Sequence, residues 1–468
     1  MDHGKSKIKM PPKGLAILAM VGPGLVWAGE YIGSGEVILC TRLGAVLGVA
    51  ILWAPMLAIF LKYVIGLAGA RYTTTTGEGM IDMFSRVPGP GNWAVWIVLV
   101  GQFCAAAVSI SALASSAAAF IHALVPLNQV MLGWGVTLFC VSVVWGNKFD
   151  PIRYIASALV LVMVVGVIYV ALKVAPTAGE LAAGLFGFKL PSVPQWAIDS
   201  GAATSNVWAD LLPVLGWAAG GFASQVWYSY WVLESGYGQA ANTGFGVRAD
   251  EKMLGSMDTE TATRIKGWCR VVNVDATTAL LVGSGVTACF VIAGAGVLGK
   301  MQLAPNGPQL AIELSEIFKQ FWGSTGAVLF LAAGVAAMIS TNLCQFAGWP
   351  RIMADCLRVL FPSMTSRYAP HKVRRLFVLV FLVSNMLIIN TFGVNPVGLL
   401  KVGAVLDGLL LSPLQAIIII YALVVVLPRM LSKEAAAILK PGKMIISLLA
   451  ISAVVFGYFA IVKIPTMF

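Results

Sequence analysis

The chain has 468 residues, of which 59% are hydrophobic and 11% are charged, and its mean hydropathy is +0.87. No soluble domain of this length has such a composition, so the sequence predicts a polytopic membrane protein. The formal net charge of +11 could indicate binding to an acidic partner. The positions of the basic residues along the chain instead relate this charge to the orientation of the protein in the membrane.

Apolar windows of roughly 17 to 25 residues predict eleven membrane spans. They cover residues 14–41, 46–70, 92–121, 128–147, 151–173, 207–238, 267–297, 323–349, 373–392, 395–427 and 441–463. Of the 31 Lys and Arg residues, 23 fall in segments on the predicted side of the N-terminus and 6 on the opposite side. The positive-inside rule then predicts a multi-pass protein of the cell (inner) membrane with a cytoplasmic N-terminus. We expect membrane lipid and a small ion or small molecule as partners, with no nucleic acid and no obligate protein partner.

The first predicted span contains the strongest functional signal. Its stretch Gly22–Glu36 places Glu30 and Glu36 in an apolar segment that also contains Gly33 and Gly35. An ionisable residue near the bilayer centre costs about 2.5 to 3.5 kcal/mol on insertion scales, so it usually faces a cavity or a partner. Glycine weakens a helix, and an unwound backbone at membrane depth is tolerated only where it lines a cavity or is buried in protein. A binding site is therefore predicted here, and the alternative is a glycine-rich packing face.

The sixth predicted span is interrupted in the same way, by Gly220 and Gly221 near its middle. It stands five spans after the first, and paired interrupted segments in corresponding halves indicate an inverted repeat with the substrate between the halves. The predicted fold class is therefore an all-α membrane protein with a 5+5 inverted repeat and one additional helix. The predicted division is a cytoplasmic N-terminal segment 1–13, a first repeat 14–173, an outer loop 174–206, a second repeat 207–427, and a linker with the eleventh helix 428–468.

Two acidic residues lie in later spans. Asp275 is within a few residues of a predicted helix end, which favours a carboxylate that is solvated or hydrogen-bonded to another helix. Asp407 lies deeper in its span, and there a structural role and a functional role are about equally expected. The seven cysteines show no metal-ligand spacing, and no hydrolase or metalloprotease motif occurs. The sequence therefore predicts a transporter without a resident cofactor rather than an enzyme.

Three features of the sequence match a known family: Gly22-Pro-Gly24 before the first break, Ala-Gly-Trp-Pro350 at the end of the eighth span, and the eleven-span layout. In these features the chain resembles, over most of its length, the NRAMP family of metal-ion transporters. Arg374 and Arg375 look like that family's ninth-helix arginine pair. The resemblance implies a LeuT-type fold and the coupling of divalent metal import to protons.

The binding motifs depart from those of the family. Its first-helix Asp-Pro-Gly-Asn aligns with Gly33-Ser34-Gly35-Glu36, so a glycine replaces the metal-binding aspartate and a glutamate replaces the asparagine. Its sixth-helix Met-Pro-His aligns with Ala223-Ser224-Gln225. The tenth-helix glutamine falls near Gly403, and the acidic pair of the third helix is missing.

These replacements predict a hard ion such as Mg²⁺ or Mn²⁺, because a soft thioether ligand is lost and carboxylate and carbonyl oxygens remain. A branch of NRAMP relatives that lacks this methionine handles Mg²⁺, which is consistent with that prediction. We expect Glu36 to be the charged ligand of the metal, together with Gly33 and Ala223. The other predicted substrate-binding residues are Ser34, Ser224, Gln225, Trp227 and Tyr228, and the predicted coupling residues are Glu30 and Asp407.

An organic solute or organic cation is the alternative substrate. The aromatic residues that flank the two breaks could surround such a cation by cation–π contact, worth roughly 0.5 to 2 kcal/mol per ring. They are Trp27, Tyr31, Trp227, Tyr228, Tyr230 and Trp231. Cavity volume separates the alternatives, because an organic solute needs a cavity of about 300 Å³ or more.

Overall fold

The structure is a computed structural model that describes residues 8–146, 150–365 and 367–467, so residues 1–7 of the predicted N-terminal segment lie outside the described residues. Its regular structure consists of helices, and the described residues contain no strand. The α-helices are α1 Pro23–Tyr31, α2 Thr41–Leu47, α3 Trp53–Thr76, α4 Met80–Ser85, α5 Trp93–Leu124, α6 Gln129–Gly146, α7 Asp150–Lys173, α8 Ala178–Phe186, α9 Gln195–Asp199, α10 Trp208–Trp217, α11 Phe222–Glu234, α12 Glu251–Gly255, α13 Thr259–Ala293, α14 Leu310–Leu360, α15 Pro362–Thr365, α16 Pro370–Phe392, α17 Pro396–Gly408, α18 Ser412–Tyr421, α19 Leu427–Met430, α20 Lys433–Leu439 and α21 Lys443–Tyr458.

Eight helical stretches in the described chain are long and apolar enough to cross a membrane, and the bent pair Ser157–Lys173 with Ala178–Phe186 makes a ninth. The first and sixth predicted spans are absent from this set because each consists of shorter helices. The outer surface of the helices exposes large apolar side chains, among them those of Leu161, Val383 and Ile461. Such a surface is stable in contact with lipid, so the predicted all-α polytopic class is confirmed.

The first predicted span is interrupted where its glycines predicted. Helix α1 ends at Tyr31, and after a short break a π-helical stretch Gly35–Cys40 leads into α2. Asp275 of α13 accepts hydrogen bonds from the backbone N–H groups of Gly22 (3.0 Å) and Gly24 (2.7 Å). A carboxylate at this position satisfies unpaired N–H groups and complements the positive end of the helix dipole.

The sixth predicted span is also interrupted where its glycines predicted. Helix α10 ends at Trp217, α11 begins at Phe222, and Ala219 and Gly220 between them have left-handed φ values of 60° and 69°. Gly220 adopts this conformation without steric cost, whereas Ala219 does not. The break exposes carbonyl groups at the end of α10 and N–H groups at the start of α11 in the interior of the protein.

Two further features differ from the predicted layout. The outer segment predicted as a loop at residues 174–206 contains the short helices α8 and α9, and α8 begins with a capping box formed by Thr177 and Glu180. The tenth predicted span is interrupted at residues 409–411, between α17 and α18. A run of leucines separates these two helices, so apolar periodicity alone does not reveal the interruption.

The interrupted helices lie in the centre of the protein. Helix α5 packs against α14 and α17, α10 packs against α17, and α1 packs against α13 and α11. The backbones approach closely at Gly216 and Gly408, where a Cβ atom on either glycine would collide with the neighbouring main chain. Close approach through small residues is how membrane helices gain packing contact.

Candidate functional site

A small buried cavity lies where the two helix breaks meet. Its volume is about 20 Å³, counted as the space open to the centre of a water molecule. This is room for about one water molecule or one dehydrated ion. The cavity is lined by Glu30, Gly33, Ser34, Gly35, Trp217, Gly220, Gly221, Trp227, Thr341, Gln345, Trp349 and Asp407.

Glu30 is the carboxylate that the first span contributes to this cavity. It lies at the end of α1, is 7% exposed, and accepts a hydrogen bond of 2.5 Å from the Ser224 hydroxyl. Ser224 in turn accepts a hydrogen bond of 3.0 Å from the Trp27 indole N–H. The Trp27 ring stacks on Tyr228, with ring centroids 4.4 Å apart. These contacts between α1 and α11 hold the Glu30 carboxylate at the junction of the breaks.

Asp407 is the second carboxylate of the cavity and comes from α17. It accepts hydrogen bonds from the backbone N–H of Ala223 (3.1 Å) and the indole N–H of Trp217 (3.3 Å). It therefore caps the N-terminus of α11, where a negative charge is favoured. Gly221 packs directly against this carboxyl group, and a Cβ atom there would overlap it.

Neutral oxygen atoms complete the polar part of the wall. Thr341 and Gln345 of α14 line the cavity, and the buried Oε1 of Gln345 accepts no hydrogen bond from the described residues. A buried acceptor without a partner needs a bound ion or water to compensate its desolvation. The lining residues therefore offer oxygen ligands only: two carboxylates, the Gln345 amide, the hydroxyl groups of Ser34 and Thr341, and the backbone at Gly33, Ser34 and Gly35. Among the residues that the structure describes, no group of three or more His, Cys, Asp and Glu side chains could hold a metal ion.

The predicted site residues divide into two groups. Glu30, Gly33, Ser34, Trp227 and Asp407 line the cavity. Glu36, Ala223, Ser224, Gln225 and Tyr228 do not line it, although Ala223 and Ser224 bind the two cavity carboxylates.

Glu36 does not line the cavity. Its side chain is fully buried, its Oε1 accepts a hydrogen bond of 3.4 Å from Thr287 of α13, and its Oε2 has no hydrogen-bond partner among the described residues. The carboxyl group nevertheless lies close to the backbone of Gly33 and Ala219, which belong to the two breaks. Glu36 is the second residue of the π-helical stretch, whose wider turn changes the rotation of the residues that follow a break.

The aromatic residues pack against protein rather than around an open cage. The Trp227 and Trp349 rings meet edge to face at 5.3 Å, and the hydroxyl groups of Tyr228 and Tyr230 donate to Asp275 and Asp355.

Trp217, Trp349, Thr341 and Gln345 of the cavity wall were not predicted as site residues. Polar residues inside the apolar eighth span were a signal for the last two. Trp349 belongs to the Ala-Gly-Trp-Pro350 stretch on which the family resemblance rests, whereas nothing in the sequence distinguishes Trp217.

A cluster of ion pairs closes the protein on the face opposite the N-terminal segment. Arg42 of α2 and Lys401 of α17 both bind Asp210 of α10, at 3.1 and 2.6 Å. Arg42 also donates to backbone carbonyl groups of the loops, including that of Pro305 at 2.7 Å. We call Arg42, Asp210 and Lys401 the opposite-face cluster; it joins the two interrupted spans to the tenth span.

A second cluster lies on the face of the N-terminal segment. Arg358 of α14 binds Asp82 of α4 at 2.7 Å and Asp355 at 2.7 Å, and Tyr230 of α11 donates to Asp355 at 2.9 Å. We call Asp82, Tyr230, Asp355 and Arg358 the N-face cluster. Burial, with the nearby Asp355 charge, raises the pKa of Asp82 to about 6.

Paired interrupted helices that meet at a small cavity with carboxylates in its wall are typical of multi-pass membrane transporters of the broken-helix class. The model of natural resistance-associated macrophage protein-like (Nramp) proteins matches residues 24–456. The chain therefore belongs to the Nramp family, as the motifs predicted.

Similar proteins agree with this assignment. A divalent metal cation transporter MntH from Yersinia enterocolitica is 29% identical over 28% of this chain and 29% of its own length. An MntH from Pectobacterium carotovorum is 25% identical over 38% of this chain and 42% of its own length. The matched stretch thus spans less than half the length of these curated relatives, which are transporters and not enzymes.

Solved structures show the same fold. A manganese transporter from Eremococcus coleocola superposes with a TM-score of 0.68 at 14% identity, covering 100% of this chain and 91% of that chain. The nucleobase-cation-symport-1 family transporter Mhp1 gives a TM-score of 0.53 at 16% identity, covering 97% of this chain and 94% of that chain. The predicted LeuT-type fold is confirmed, while the exact repeat boundaries remain a prediction.

Proposed function

We propose that this protein is a secondary transporter that moves a small divalent cation across the cell (inner) membrane by alternating access. The observation that carries the proposal is the cavity at the two helix breaks, with Glu30 and Asp407 in its wall. We assign these two carboxylates as the charged ligands, with Gln345, Thr341 and the backbone at Gly33 as further oxygen donors. The names of the relatives, which are divalent cation and manganese transporters, support the same substrate class.

The size of the cavity favours an ion over an organic solute. A cavity of about 20 Å³ holds one atom-sized species, whereas sites for organic ligands measure about 300 Å³ or more. Three tryptophans, Trp217, Trp227 and Trp349, form part of the wall of this small cavity.

The buried charges favour a divalent ion. Glu30, Glu36 and Asp407 interact electrostatically with the buried Lys62, and three carboxylates with one ammonium group carry a net charge of −2 when all four are ionised. One divalent cation neutralises that charge, and neutrality is strongly favoured where the surroundings are apolar. Oxygen ligands without sulfur or imidazole suit hard ions such as Mg²⁺ and Mn²⁺. We expect movement of the ion to be coupled to a proton or a second ion.

Calorimetry on the purified protein tests the assignment, with Mg²⁺, Mn²⁺ and a panel of small organic amines as ligands. We expect a divalent ion to bind, and Glu30→Gln or Asp407→Asn to weaken binding by at least about tenfold, because each removes a charged ligand. Glu234→Gln is the matched control, because Glu234 pairs with Arg351 and does not line the cavity.

Two results would contradict the proposal. If an amine binds and neither Mg²⁺ nor Mn²⁺ does, the substrate is an organic cation and not a divalent metal ion. Loss of metal binding in Glu36→Gln, with Glu30→Gln unaffected, would move the site away from the cavity and onto the residue that the sequence alone favoured.

A further inference from the structure

Lys62 of α3 is fully buried in the interior of the protein. Its Nζ donates hydrogen bonds to the backbone carbonyl oxygens of Gly216, of Ala218 (3.1 Å) and of Gly220 (2.7 Å). The Gly216 carbonyl lies in the last turn of α10, and those of Ala218 and Gly220 lie in the break of the sixth span. Lys62 forms no salt bridge with a carboxylate among the described residues.

This geometry suits a protonated amine. An ammonium group has three N–H donors and no acceptor, and here each donor has one carbonyl partner. A neutral amine has only two donors, so its lone pair would face the oxygen of the third carbonyl. The three carbonyl groups therefore match an ammonium cation better than a neutral amine.

The three carbonyl groups form a ligand set for a monovalent cation. They lie at the C-terminal end of α10, where the helix dipole contributes a partial negative charge. Unwound carbonyl groups and half-helix C-termini at membrane depth are groups that coordinate Na⁺ in secondary transporters. Asp407, Glu36 and Glu30 act on Lys62 electrostatically from the surrounding helices and add to the attraction for positive charge.

We propose that the break of the sixth span contains a monovalent-cation site, and that the Lys62 ammonium group fills it as a cation tethered to the chain. The protein then needs no free alkali-metal ion to hold the break in shape. Removal of the tethered cation converts these carbonyl groups into a site for a free cation such as Na⁺, K⁺ or methylammonium. The inference does not rest on the identity of the transported ion.

Thermal unfolding of the purified protein tests it, in EDTA so that no divalent ion contributes. The parent, Lys62→Ala and Lys62→Met are compared in choline, sodium, potassium and methylammonium chloride at equal ionic strength. We expect the parent Tm to be the same in all four salts. We expect the Tm of Lys62→Ala to fall by roughly 5 °C in choline chloride, because carbonyl groups are left without a partner, and to recover saturably with at least one small cation.

Two variants serve as controls. In Lys62→Met the longer side chain keeps the site filled, so we expect no recovery with any cation. Lys401→Ala removes an ammonium group that binds the Asp210 carboxylate instead of carbonyl groups, and we expect no recovery there either.

Equal Tm values of Lys62→Ala in all four salts would overturn the proposal, as would equal recovery in Lys401→Ala. If Lys62→Ala does not fold in choline chloride, its purification in sodium or methylammonium chloride decides the question. Folded protein there supports the site, and failure in every salt overturns it. Divalent-ion binding by the parent is measured in a separate experiment. A negative result for the monovalent-cation site therefore leaves the proposed divalent-cation transport untouched, and the reverse also holds.

Discussion

At the scale of single residues, the site depends on a glycine that leaves room for a carboxylate. Gly221 has a φ of −102°, which any residue can adopt, so its role is steric and not conformational. The Asp407 carboxyl group occupies the space where a Cβ atom would be. The bond from the Ala223 N–H to Asp407 therefore forms only when residue 221 lacks a side chain.

We expect Gly221→Ala to push Asp407 out of position, because the overlap involves a carboxyl group fixed by two hydrogen bonds. Overpacking of this kind costs about 1 to 3 kcal/mol, and divalent-ion binding should weaken with it. Gly285→Ala is the matched control, because an added Cβ atom there has nothing within 4 Å. A Gly221→Ala protein with unchanged metal affinity and Tm would contradict this role.

The residues of the site were only partly predictable. Glycines and carboxylates within apolar runs are local signals, so the breaks near Gly33 and Gly220 follow from the sequence. The direction of a side chain after a break depends on how the helix resumes. The π-helical stretch turns Glu36 toward Thr287 and leaves Glu30 at the cavity, and no local pattern shows this rotation.

At the scale of helices, the N-face cluster ties α4, α11 and α14 together through buried groups. Arg358 is shared by two carboxylates, so Asp82 and Asp355 repel each other while both are ionised. Protonation of Asp82 relieves this repulsion. Its raised pKa of about 6 compares with an ordinary value of 3.8.

This difference makes the stability of the protein depend on pH. Between about pH 4 and 6 the folded protein binds more protons at Asp82 than the unfolded chain does, so the contribution of this carboxyl group falls as the pH rises through that window. We therefore expect the Tm difference, parent minus Asp82→Asn, to increase as the pH is lowered from 7 to 5, because the asparagine of the variant cannot titrate. Parallel Tm curves for the two proteins would show that Asp82 has an ordinary pKa.

Helix boundaries were predictable to within a few residues for α5, Trp93–Leu124, where the predicted span was 92–121. They were less so for α3, which continues through Arg71 to Thr76, beyond the predicted end at residue 70. The interruption of the tenth span at residues 409–411 was not predictable, because leucines fill it. Packing of α17 against α5 and α10 decides that break, and such tertiary contact is invisible to a search along one segment.

At the scale of the whole molecule, the two charged clusters belong to opposite faces of the protein, with the interrupted helices between them. In the opposite-face cluster, Asp210 forms ion pairs with both the fully buried Arg42 and the neighbouring Lys401. Removing one partner of a buried ion pair costs about 3 to 5 kcal/mol, because the other charge is left without compensation.

We therefore expect Asp210→Asn to favour a conformation open on the opposite face, and Arg358→Ala to favour one open on the N-terminal face. The measurement is the reaction of a Thr341→Cys cavity reporter with a membrane-impermeant thiol reagent, in vesicles and in a background from which the seven native cysteines have been removed. Asp210→Asn should accelerate labelling from the opposite face only, and Arg358→Ala from the N-terminal face only. Equal acceleration from both faces in either variant would mean that the clusters do not act as separate gates.

The bonds from Gly22 and Gly24 to Asp275 join residues 253 and 251 positions apart in the chain. A ribosome adds about 5 to 20 residues per second, so the seventh span follows the first by about 10 to 50 s. During that interval the first half-helix is in the membrane without the carboxylate that caps it, and for most of it also without the α11 serine that holds Glu30. The binding site is thus completed late in biosynthesis, and a chain that stops before the seventh span contains the first break but lacks the carboxylate that caps α1.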